Sequence, residues 1–311
     1  MTEEDPEEFC SPLSLPGIGW WHLPLPRQRG SSGTHPSRRM GIGEEIAVIR
    51  PIDPGDDYTY YSAPHSAIAK KPMEVLFFRK LQTRVVFVLD LAPGMAFGDP
   101  RKQAIAVKVL VSLATSVIVQ PADGAVTIIA AGGTVLRKDD IGNVMELRAF
   151  IRTLLSLPPR ERRDSGLPET IDEASRIPES LICVLSDFII TERDKEWIDI
   201  ASACDQCISA DSEVIFVRVL DTLESSFRSR GSVTISAPGG GAVWTSAATA
   251  RAVDRRNRAI RQTIGSIIEE PDIRFCEVVS QDHNLSDSLH DFLRERLYYL
   301  RQYMPNLPFT R

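Results

Sequence analysis

The residues of this chain best placed to do chemistry are two aspartates that end apolar runs. Arg84-Val-Val-Phe-Val-Leu-Asp90 leads into the tight loop Leu91-Ala92-Pro93-Gly94-Met95, and Leu181-Ile-Cys-Val-Leu185 leads into Ser186-Asp187. Runs this apolar read as strands covered on both faces, so each delivers its carboxylate to the rim of a sheet. A rim carboxylate can hold a hard cation through oxygen, or work as a general acid or base. Ala92 and Gly94 offer no side-chain oxygen, whereas Ser186 offers a hydroxyl. Two carboxylates brought close repel. They must be kept apart, raised in pKa, or neutralised by a base.

The elements that must position these groups alternate in type. Met73–Leu81 and 84–89 are β-rich. A helix is predicted over 101–119, with Pro100 suited to its first turn. Apolar strand 125–130 follows, then helix 142–157 with Leu147, Phe150, Ile151 and Leu154 on one face. After a short helix come strand 181–185, helix 194–209, strand 214–220, helix 250–269, strand 273–279 and helix 285–301. Alternating strands and helices specify an α/β fold, a doubly wound and mainly parallel sheet with helices on both faces. Ligands of such sheets bind beyond the carboxyl ends of the strands, where Asp90 and Asp187 fall. A small β-rich extension precedes this domain, with a strand at 45–49 and the turn Pro54-Gly55-Asp56-Asp57. The expected division is a mobile tail over 1–30, a β-rich region over 31–80, and the α/β domain over 81–305.

Composition narrows the function. The 311 residues are 43% hydrophobic and 25% charged, with a formal net charge of −6. That balance suits a globular protein and argues against a general nucleic-acid binder, which needs a basic face. The arginine-rich stretch 251–261 reads as a solvated helix face. No apolar run reaches the ~18–20 residues that span a bilayer, and the acidic start is unlike a signal peptide, so a cytoplasmic protein is expected.

Cys204-Asp-Gln-Cys207 lies late in a predicted helix, with no second Cys or His pair at zinc-site spacing, and reads as inert. Cys183 and Cys276 read as core packing. The five histidines form no motif, which leaves a hydrolase using Asp90 and Asp187 as the weakest reading. Gly41-Ile-Gly43 and Gly239-Gly240-Gly241 do not join a strand to a helix and read as turns rather than phosphate cradles.

Asp90-x-x-x-Gly94-Met95 after an apolar strand, a long helix, and Val184-Leu185-Ser186-Asp187 at a later strand end together resemble a von Willebrand factor A-like domain. More narrowly, the chain resembles a bacterial family of unknown function encoded beside MoxR-type AAA+ ATPases, including MxaS-like proteins of methanol-oxidation clusters. Three segments carry that match: Gly33-Thr-His35-Pro-Ser37 with Gly41-Ile-Gly43-Glu44, then Arg50-Pro-Ile52-Asp-Pro54-Gly55-Asp56-Asp57, and Asp221-Thr-Leu-Glu224. The likeness runs over roughly 33–300. The family's usual I-D-W after the second segment is absent, and Tyr60-Tyr61 stands in that neighbourhood.

The resemblance implies a metal-dependent adhesion site, in which Mg²⁺ takes oxygens from D-x-S-x-S, a threonine and a further aspartate. Asp90 and Asp187 match the carboxylates, Thr170 is the candidate threonine, and Ala92 and Gly94 stand at the serine positions. The expected site is therefore degenerate, with binding contacts at Asp90, Ala92, Gly94, Met95, Ser186 and Asp187. The expected function is a non-enzymatic, cofactor-free adaptor acting with a MoxR-type ATPase on a client complex. The alternative is a Mg²⁺-dependent module that binds an acidic residue of its partner.

Overall fold

In a computed structural model, the described residues are 32–53, 58–81, 84–98, 100–119, 125–131, 136–156, 166–190, 193–225, 233–236, 242–245, 247–267, 273–279 and 285–303. Ten strands are described: β1 Ser32–Pro51, β2 Met73–Leu81, β3 Arg84–Asp90, β4 Ala125–Ala131, β5 Leu136–Ile141, β6 Ser180–Ser186, β7 Glu213–Leu220, β8 Val233–Ser236, β9 Ala242–Thr245 and β10 Ile273–Val279. The α-helices are α1 Ala63–Ala69, α2 Lys102–Ile118, α3 Val144–Ser156, α4 Leu167–Ser175, α5 Arg193–Ser209, α6 Thr222–Ser225, α7 Ala247–Ile267 and α8 Leu285–Tyr303.

Six strands form the main sheet in the order β10-β7-β6-β3-β4-β5. All neighbours run parallel except β5, which pairs antiparallel with β4 at the edge. The alternation of β3 side chains divides the core in two, because successive residues of a strand point to opposite faces. Val85, Phe87 and Leu89 pack with α2, α3 and α8 on one face. Val86 and Val88 pack with α4, α5 and α7 on the other. This is the doubly wound α/β architecture expected from the alternation of elements. With helices on both sides, nearly every central-strand side chain must be apolar, as β6 and β7 show by complete burial.

The helices predicted from periodicity form with ends shifted by a few residues. Five elements were not legible, among them the single turn α6. β5 is Leu-Arg-Lys-Asp-Asp-Ile, mostly exposed, and an edge strand need carry no hydrophobic signal. α1 is short and has a left-handed residue, Lys70, at its end. β8 and β9 form an antiparallel pair flanking the Gly-rich stretch, which lies outside the described residues. The strand expected at 45–49 extends over the whole of β1, which pairs antiparallel with β2 through repeated register shifts. Those shifts break the alternation that sequence patterning depends on.

Candidate functional site

β3 and β6 are neighbours in register, with Leu89 opposite Leu185, so Asp90 and the Ser186-Asp187 pair reach the same rim. Asp90 is only 2% exposed. Its Oδ1 accepts the Ala92 backbone N–H at 2.8 Å, and its Oδ2 accepts the Ser186 hydroxyl at 2.6 Å. Ser186 Oγ in turn accepts the Phe188 N–H at 2.9 Å. Burial, reinforced by the neighbouring Asp187, raises the Asp90 pKa to about 7 against the partial relief of those hydrogen bonds.

Asp187 is handled differently. Its Oδ1 accepts the Ile189 N–H at 2.8 Å, and its Oδ2 accepts the Lys102 ammonium at 2.7 Å. Lys102 is fully buried in the first turn of α2. The same ammonium donates to Glu224 Oε1 at 3.0 Å and lies 5.9 Å from the centre of the Phe97 ring, a favourable cation–π distance. Glu224 is fixed by the loop after β7. Its Oε2 accepts the Asp221 N–H at 3.0 Å, and Asp221 Oδ1 accepts the Leu223 N–H at 2.9 Å. Asp221 thus caps the start of α6 through the Leu223 N–H, and Glu224 reaches back to the Asp221 N–H.

Arg218, buried on β7, braces the same corner. It donates to the Asp187 carbonyl at 3.3 Å, to Glu277 at 2.9 Å and to Asn257 Oδ1 at 2.6 Å. The Asn257 amide donates to the Glu224 carbonyl, tying α7 to the rim. Burial lowers the Arg218 pKa, with Glu277 opposing the shift. Loops after β3, β6 and β7 therefore converge on one buried ammonium.

Glycine makes that convergence sterically possible. A Cβ on Gly94 would lie 2.6 Å from Asp187 Oδ2, and one on Gly98, at φ +101, would lie 2.8 Å from Asp221 Oδ2. Asp187 cannot swing aside without leaving Lys102 and the Ile189 N–H. Gly94→Ser, which would put back the hydroxyl that an adhesion motif carries, is expected to destabilise the fold by about 1–3 kcal/mol. Urea denaturation of the variant measures this. An unchanged midpoint would mean that Asp187 moves freely.

The arrangement does not fit Mg²⁺. Both oxygens of each aspartate already accept hydrogen bonds from protein donors, and an ammonium stands 2.7 Å from Asp187. A dication there would face that positive charge with too few free oxygens for near-octahedral coordination. Thr170 lies buried in the first turn of α4, where its hydroxyl donates to the Gly166 carbonyl at 2.6 Å. Among the described residues no group of three or more His, Cys, Asp or Glu is placed to hold a metal ion.

The structure brings Asp90, Ala92, Gly94, Ser186 and Asp187 together, with Met95 fully buried beneath the loop. His35 lies in β1, away from the main sheet's strands in sequence and pairing, and Pro54, Gly55, Asp56 and Asp57 lie outside the described residues. Cys204 and Cys207 are buried in α5. Burial raises both thiols, that of Cys207 to about 12. Lys102, Arg218 and Asn257 escaped the sequence reading. The signal for Lys102 was its position: a cation at a helix N-terminus opposes the helix dipole and needs a local anion. No helix among the described residues is long and apolar enough to cross a membrane.

The profile of the family described as "Protein of unknown function DUF58" matches residues 48–270. No curated protein sequence matches the chain. Among solved structures, a von Willebrand factor type A protein from Catenulispora acidiphila is 14% identical, with a TM-score of 0.38 over 71% of this chain and 43% of that one. Proximal thread matrix protein 1 from the mussel byssus is 12% identical, with a TM-score of 0.34 over 45% of this chain and 38% of that one. An uncharacterised membrane-spanning protein from Vibrio fischeri is 12% identical, with a TM-score of 0.20 over 69% of this chain and 98% of that one. The chain thus spans less than half the length of the first two.

Proposed function

The chain belongs to the DUF58 family, and we propose that it is a non-enzymatic, von Willebrand A-like protein-binding module whose rim works without a metal. One observation carries this reading. The Lys102 ammonium bridges Asp187 and Glu224 beside a buried Asp90, where an adhesion site would need open oxygens around a dication. A rim closed by an internal cation is a shaped surface rather than a reaction centre. Its Ser186 hydroxyl is bonded to Asp90, but both groups are buried, and among the described residues both oxygens of Asp90, Asp187 and Glu224 accept hydrogen bonds from the protein rather than facing a substrate.

The partner proposed is a MoxR-type AAA+ ATPase, acting with this chain in assembly or maturation of another protein complex. The resemblance of the segments from Gly33 to Glu224 supports that choice. Co-purification of the full chain with an ATPase encoded beside it is the test. Association is expected in at least one nucleotide state, and none with or without nucleotide would sink the partnership. The metal question is read separately by thermal denaturation. Mg²⁺ at millimolar concentration should leave the melting temperature unmoved, because a ligand stabilises only the state that binds it. A saturable rise would instead support the Mg²⁺-dependent alternative.

A further inference from the structure

Beside the rim, α5 and α7 leave a groove of about 720 Å³. Its floor is apolar: Phe188 and Ile190 from the loop that follows Asp187, and Ile260 from α7, all buried. Phe188 adopts φ 54, in the left-handed region that a bulky residue rarely occupies. This turn seats its ring 6.2 Å from Trp197 and 5.3 Å from Phe216, in stacked and edge-on contacts. On the wall, Ile198 is 68% exposed, far more than a packed helix face requires.

Charge distinguishes this groove from an incidental apolar cleft. Arg255 and Arg256 line its α7 side, and neither pairs with a carboxylate among the described residues. Two other arginines on the helix do have partners: Arg261 is held by Glu277, and Arg258 donates to the Asp254 carbonyl. Unpaired guanidiniums beside an exposed isoleucine and a half-buried tryptophan match one kind of occupant. Apolar anchors fill the groove while carboxylates take the two-pronged hydrogen bonds that arginine offers. The concave floor gives an anchor side chain somewhere to go, which a flat lipid surface would not use.

We propose that the α5–α7 groove docks an acidic, amphipathic segment of a partner protein, with its anchors over Trp197 and Ile198 and its carboxylates on Arg255 and Arg256. The inference rests on reading the chain as a protein-binding module, and not on which partner it serves. Because Phe188 N–H bonds to Ser186 and Arg218 holds the Asp187 carbonyl, the groove floor is built by the same loop as the rim.

The test is a display selection of random peptides on the full chain, followed by titration of a selected peptide against variants. Selected peptides are expected to flank Leu, Phe or Trp with Asp and Glu. Arg255→Glu with Arg256→Glu, and separately Ile198→Asp, should each weaken binding by about tenfold or more. Circular dichroism and melting of these surface variants should match the native chain. An empty selection, neutral or basic peptides, or binding indifferent to the variants overturns the proposal.

Three further results would also overturn it by naming another occupant. They are flotation with phosphatidylserine vesicles lost in the same variants, self-association lost in them, or markedly tighter peptide binding once Glu3, Glu4, Glu7 and Glu8 are changed to Lys. Failure of the ATPase to co-purify while the peptides still bind would overturn the partnership alone.

Discussion

Lys102→Met is expected to lower the stability of the fold by about 3–5 kcal/mol, the usual cost of orphaning a buried charge. The methionine can follow much of the aliphatic path, so packing is largely kept. What disappears is the counter-charge to Asp187 at 2.7 Å and to Glu224 at 3.0 Å. Asp187 is 2% exposed and cannot recruit water freely in its place, whereas Glu224, 18% exposed, recovers part of its hydration. The loss therefore falls mainly on Asp187. Adding Asp187→Asn to Lys102→Met should return a substantial part of the stability, because the orphaned charge is then gone. The two changes share one interaction and should be far from additive. Urea denaturation of the native chain, both single variants and the double variant measures the coupling. Additive effects would mean that the ion pair is incidental to the fold. In Lys102→Ala, by contrast, the emptied space beside two carboxylates admits a dication. Added Mg²⁺ should then raise the melting temperature of that variant while leaving the native chain unmoved.

The layer architecture was legible because burial on both faces leaves a strong mark. β3, β6 and β7 are so apolar that only covered strands explain them, and the amphipathic stripe of α3 and the long runs of α5, α7 and α8 fill the spaces between. The two aspartates were legible for the same reason, since a charge that ends such a run must sit at the rim. The chemistry of the rim was much less so. Whether two nearby carboxylates share a metal, a proton or a base depends on contacts across the chain: Lys102 and Asp187 are 85 positions apart and Lys102 and Glu224 are 122 apart. Sequence patterning predicts which face a residue occupies, not which distant side chain it meets. The same limit hid the groove. The arginines of α7 looked like a solvated face, and nothing local indicated that Arg255 and Arg256 flank a tryptophan and an isoleucine from another helix. The repulsion expected between the aspartates is resolved in two ways at once: Asp187 is neutralised by a base, and Asp90 is raised in pKa.

That second resolution makes Asp90 a source of pH dependence. With its pKa raised from 3.8 to about 7 in the fold, Asp90 holds its proton in the native state at pH values where the unfolded chain has released it. Between those limits the native state binds more protons, so stability falls as pH rises. The contribution is fully present below about pH 4, is lost progressively up to about pH 7, and adds no slope above that. At about 1.4 kcal/mol per unit, the span amounts to on the order of 4 kcal/mol. Asp90→Asn mimics the neutral form. Its amide oxygen still accepts the Ala92 N–H, while its NH₂ must donate to Ser186 Oγ, which has to turn its own proton elsewhere. The variant should therefore lie slightly below the native chain at about pH 4 and above it at about pH 8, with a flatter profile between. Urea midpoints across that range decide the matter. Parallel profiles for the two proteins would mean that Asp90 is ionised throughout, and that the rim carries a second buried negative charge with only Ser186 and one backbone amide to hold it.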